Sequence, residues 1–60
     1  MIQVKVFDHE HEKDLESEMN QFLKKIDEIQ LVDIKYNVAA IQEEEDEQIY
    51  CFSAMIIYRA

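Results

Sequence analysis

Hydrophobic and polar residues alternate at the start of the chain, with Ile2, Val4 and Val6 in one set and Gln3 and Lys5 in the other. A period of two marks a strand, and the β-branched set is expected to form its buried face. Asp8 then stands where a carboxylate can accept the unpaired N–H groups of a first helical turn. Beyond it the period changes. Leu15, Met19, Phe22, Leu23 and Ile26 recur at helical spacing and make one apolar stripe. Glu10, Glu12 and Asp14 lie near the positive end of the helix dipole, and Lys24 and Lys25 near the negative end. The pattern predicts a helix from about Glu10 to Glu28, although no glycine is present to stop it.

Alternation resumes near Leu31, with Val32, Ile34, Tyr36, Val38 and Ala40 on one face and Asp33, Lys35 and Asn37 on the other. After the polar segment from Gln42 to Gln48, a third strand from Ile49 to Tyr58 is apolar on both faces. Such a strand belongs in the middle of a sheet, where both sides are at least partly covered. A strand, a crossover helix and a second strand place strands one and two parallel. Strand three then returns antiparallel between them.

The expected fold is therefore α+β: a two-layer β-α-β-β domain over residues 1–60, with strand order 1-3-2 and one helix on one face. Pairing Val38 with Phe52, Tyr36 with Ala54 and Ile34 with Ile56 puts those residues on the helix side. The same register leaves Ile41, Ile49, Cys51, Met55 and Ile57 on the open side, with Phe7 a further candidate for it. With neither glycine nor proline in the chain, a tight two-residue hairpin turn of the glycine-requiring kind is excluded. The acidic segment supplies a longer loop.

Composition narrows the function classes. A chain of 60 residues buries only about 60 % of its unfolded surface, so a lone domain of this size is marginally stable. One cysteine, Cys51, cannot close an internal disulfide and fits a reducing compartment. The net charge of −8, with six scattered basic residues, argues against DNA, RNA and anionic membranes as partners. No apolar run is long enough to span a bilayer, and the start reads as strand rather than as a signal segment. A cytoplasmic location is expected.

Little in the chain carries chemistry. His9 and His11 sit among carboxylates, but at helical spacing they diverge rather than converge on a metal. The consecutive acids Glu43 to Glu47 lack the alternation and the glycine of a calcium loop, and a solvated segment is the plainer reading. Cys51 has no base near it and reads as a small packed hydrophobe. Tyr36, Tyr50 and Tyr58 read as core or interface residues whose hydroxyls reach the sheet edges. Glycine-dependent phosphate loops and nucleophile elbows are excluded outright. We expect no enzyme, no cofactor and no metal site.

Val4-Lys5-Val6-Phe7-Asp8, Asp33-Ile34-Lys35-Tyr36 and the block from Gln48 to Arg59 resemble a small family of sporulation proteins from spore-forming Gram-positive bacteria. The resemblance covers about the whole chain and implies a cytoplasmic role connected with sporulation. It transfers no activity and no site residues. The topology also resembles that of dodecins, small flavin-binding oligomers, though the tryptophan on which their flavin usually stacks is missing here. The leading expectation is self-association, or binding of another protein, through Ile41, Ile49, Cys51, Met55 and Ile57. The alternatives are a flavin-like ligand held between subunits, or an acidic regulator occupying a basic partner.

Overall fold

A computed structural model describes residues 1–42 and 48–60, the side chain of residue 48 excepted. Expectations about the acidic run Glu43 to Glu47 therefore fall outside the described residues. The elements are β1 (Ile2–His9), α1 (Glu12–Leu23), a 3-10 turn (Glu28–Gln30), β2 (Leu31–Gln42) and β3 (Gln48–Arg59). The sheet has the order β1-β3-β2, with β3 central and antiparallel to both neighbours. Val38 faces Phe52, Tyr36 faces Ala54 and Ile34 faces Ile56, as the alternation predicts. A bulge between Leu31 and Asp33 interrupts the start of β2.

The helix is shorter than its apolar stripe suggests. It begins at Glu12 with an extended N-cap residue, His11, which gives no side-chain cap, so Asp8 is not the capping residue. Asp8 instead belongs to β1. Glu12 and Asp14 still occupy the first turn, where a negative charge is favoured.

At the other end the helix stops at Leu23. Lys24 keeps right-handed geometry, and the Lys25 N–H bonds the Phe22 carbonyl at 2.9 Å, tightening the last turn. Asp27 is extended and starts the 3-10 turn, its N–H donating to Gln30 Oε1 at 2.7 Å. Gln30 Nε2 also donates to the Arg59 carbonyl at 2.8 Å. One amide thus closes the turn and ties it to the end of β3. Gln30→Ala removes both bonds and is expected to cost about 1–2 kcal/mol, read as a lower urea midpoint with an unchanged slope. An unshifted midpoint would show that the turn holds itself.

The core lies between α1 and the sheet. Phe7, Leu15, Ala54 and Ile56 are buried, with Met19, Phe22, Leu23, Phe52 and Tyr58 packed around them. Three rings interlock at its edge. Phe22 meets Phe7 edge-on at 6.1 Å and Tyr58 at 5.1 Å, the geometry that the ring quadrupoles favour. The Tyr58 hydroxyl donates to Gln3 Oε1 at 3.0 Å, reaching the β1 edge as expected of these tyrosines.

Two expectations are corrected here. Ile2, Val4 and Val6 are not the buried face of β1: Val4 is 55 % and Val6 61 % exposed, whereas Phe7 is 3 % exposed and belongs to the core. The reason is that α1 rests on β1 and β3, and the large Phe7 ring fills the space under it better than the smaller valines. Gln3 and Lys5 share the Phe7 side, and long polar side chains can keep their heads in water. Lys5 Nζ stands 5.9 Å from the centre of the Phe7 ring.

The second correction concerns β2. Ile34, Tyr36 and Val38 do lie on the helix side but stay exposed, because the helix hardly reaches that strand. A twelve-residue helix is about 18 Å long and ~10 Å wide. It cannot cover three strands, two of which run about 40 Å.

Candidate interaction surface

The two faces of the sheet follow from the register. On the side away from α1, β1 presents Ile2, Val4 and Val6, and β3 presents Ile49, Cys51, Ser53, Met55 and Ile57. β2 adds Asp33, Lys35, Asn37, Ala39 and Ile41. Val6 stands opposite Met55, Val4 opposite Ile57, and Ile41 opposite Ile49. Val4, Val6, Met55 and Ile57 make one apolar cluster and Ala39, Ile41, Ile49 and Cys51 a second at the hairpin end, with the polar row of Asp8, Ser53 and Asn37 between them. Beside the first cluster, β2 contributes Asp33 and Lys35, whose side chains pair at 3.4 Å.

Each of the five residues singled out from the sequence lies on this face. Ile41, Ile49 and Cys51 are exposed, and Met55 and Ile57 are half-buried. Cys51 is therefore not the buried packing residue that the sequence suggested. Reading Ile2, Val4 and Val6 as core hid their part in the surface. Phe7 carried the clue, since the largest side chain in β1 sits in the other set.

On the helix side a second apolar strip is left uncovered. Leu15, Met19 and Leu23 of α1 face Ile34 and Tyr36 of β2 across an open groove of about 520 Å³. A neighbouring groove lies between the helix start and Val38, Tyr50 and Phe52, and the last two rings stack at 6.1 Å.

The histidines do not meet. His9, at the end of β1, contacts Glu18 of α1, whereas His11 occupies the N-cap position of the helix without a side-chain cap bond. No cluster of three or more metal-ligating side chains occurs among the described residues. No helix there is long and apolar enough to cross a membrane.

These observations define a class: a small α+β domain whose three-stranded sheet is covered by one helix on part of one face and carries apolar clusters on the other. The chain belongs to the sporulation protein Cse60 family, whose model matches residues 1–60. The sporulation protein cse60 of Bacillus subtilis (strain 168) is 61 % identical over 59 residues, which is 98 % of this chain and 98 % of that protein. No solved structure matches the chain.

Proposed function

We propose that this member of a sporulation family is a non-enzymatic cytoplasmic module that works by association, packing the open face of its sheet against a second copy of itself. The observation that carries the reading is the apolar cluster of Val4, Val6, Met55 and Ile57, with Ile41 and Ile49 further along at the hairpin end, on a face that no described element covers. Contiguous apolar patches of this kind are rarely left wet and commonly mark interaction sites. The chain's size points the same way, because small domains with neither disulfide nor metal commonly gain stability by association.

Met55 lies in the larger cluster on the central strand, opposite Val6 on one side and Lys35 on the other. Met55→Glu would place a charge inside a packed apolar interface, and it is expected to weaken association at least ~100-fold, about 2.7 kcal/mol. Sedimentation velocity across concentrations reads this as a lower mass, with circular dichroism checking that the fold persists. A wild-type chain that stays monomeric at about 100 µM, far above the ~1 µM typical of a modest complex, would sink the proposal. So would a Met55→Glu assembly of unchanged mass.

A further inference from the structure

We propose that the outer edge of β2, from Tyr36 to Gln42, pairs antiparallel with the same edge of a second copy, so that two sheets become one of six strands. This contact uses the backbone edge of β2 and not the open face, and it stands or falls separately from the face packing above.

The edge is protected at one end and open at the other. Around Asp33 it is blunted. The strand is bulged between Leu31 and Asp33, Asp33 pairs with Lys35, and the Ile34 N–H donates to Asp33 Oδ1 at 2.8 Å. Bulges, charges and self-satisfied donors are the devices by which proteins stop edge strands from pairing. From Tyr36 to Gln42 none of them is present: seven residues in strand conformation carry no charge, no glycine and no proline.

The direction of the free groups follows from the bonds already made. In an antiparallel ladder successive residues turn their N–H and C=O alternately toward each neighbour. The Ile34 N–H is satisfied outside the ladder by its neighbouring carboxylate. The Asn37 carbonyl accepts the Ser53 hydroxyl on the β3 side at 3.4 Å. Tyr36, Val38 and Ala40 therefore direct their backbone groups outward, at two-residue spacing, where another antiparallel strand can take them up.

A second copy suits this edge in area and in charge. The chain exposes 4983 Å², whereas a compact chain of 7.2 kDa exposes about 4,100 Å². The excess of roughly 900 Å² belongs to the chain as a whole, edge and open face together, and is of the size of the ~800 Å² that each partner buries in a stable protein–protein contact. The radius of gyration of 13.9 Å, against about 10 Å for a compact chain of this length, shows the same extension. Two copies that each carry a charge of −8 must also avoid facing like charge. Antiparallel pairing of the uncharged stretch about Ala39 sets Gln42 of one copy beside Tyr36 of the other, so the two Gln42 ends lie apart.

Mass and backbone chemistry together test the contact. Ala40→Pro deletes an outward N–H without touching the bonds to β3, a change that edge strands tolerate. If both contacts exist, the wild-type assembly exceeds two copies. Ala40→Pro then lowers it to a face-packed pair, Met55→Glu lowers it to an edge-paired dimer, and the double variant is monomeric. An Ala40→Pro assembly of unchanged mass, or a monomeric Met55→Glu chain, overturns the edge contact while leaving the face packing intact. Covalent trapping covers the case in which the proline variant fails to fold. Ala39→Cys is made in a chain that also carries Cys51→Ser, because Ala39 faces Cys51, and Met55→Glu, and it is oxidised with glutathione disulfide. About a two-fold axis at Ala39 the two cysteines oppose each other within disulfide range, and a covalent dimer is expected. Cysteine at 37, 38 or 40 detects a shifted axis, and absence of dimer at all four positions overturns the proposal.

Discussion

Phe7→Ala is expected to destabilise the chain by about 3–5 kcal/mol, whereas Val6→Ala, one residue earlier, should cost no more than ~1 kcal/mol. The contrast comes from the side of β1 on which each residue lies. Phe7 packs edge-on against Phe22 beneath the helix, next to Ala54 on the central strand, while Val6 points to the open side. A core of this size rarely supplies more than about 3–5 kcal/mol in total, so loss of Phe7 leaves the chain largely unfolded at 25 °C. Urea titrations followed by far-ultraviolet circular dichroism, at a concentration low enough to suppress association, compare the two. Equal losses at both positions would show that the side of β1 has been assigned wrongly.

Ile56→Ala is expected to be comparably severe, at about 2–5 kcal/mol. Ile56 is 0 % exposed, on the central strand, with Lys5 opposite on β1 and Ile34 opposite on β2. Truncation there opens a cavity under the helix that no neighbour can collapse to fill, because β3 is held by ladders on both sides. Ile57→Ala is the matched control. Its side chain projects to the open face, and as a half-buried residue it should cost clearly less in the monomer. A larger loss at Ile57 than at Ile56 would mean that the helix packs on the opposite face.

Strand order and register were legible from the sequence because β3 is apolar at nearly every position. Only a central strand meets that description, and the alternation of Ile34, Tyr36 and Val38 against Ile56, Ala54 and Phe52 leaves one sensible pairing. The side of β1 was not legible. Alternation separates Val4 and Val6 from Phe7 but does not say which set the helix covers, and that depends on where α1 comes to rest. The helix ends were obscured for a related reason. Ile26 continues the apolar stripe at the right spacing, yet it packs half-buried in the turn after the helix, and the last turn is tightened by the Lys25 N–H bond to the Phe22 carbonyl with no glycine involved. The β3 and hairpin part of the open face followed from register alone. Its β1 part was hidden by the habit of assigning β-branched residues to the interior.

The molecule measures 47 × 18 × 10 Å along its principal axes, and α1 covers only part of that length. Hairpin residues such as Ile41 and Ile49 lie outside the core cluster, joined to the rest mainly by the β2–β3 ladder. Hydrogen exchange should therefore be graded along single strands. On β3 the amides near Ile56 would open only with global unfolding, and those near Ile49 by local separation of the hairpin. Any contact that clasps the far half would raise that lower threshold by mass action. How tightly this chain holds its own shape would then depend on how much of it the cell contains.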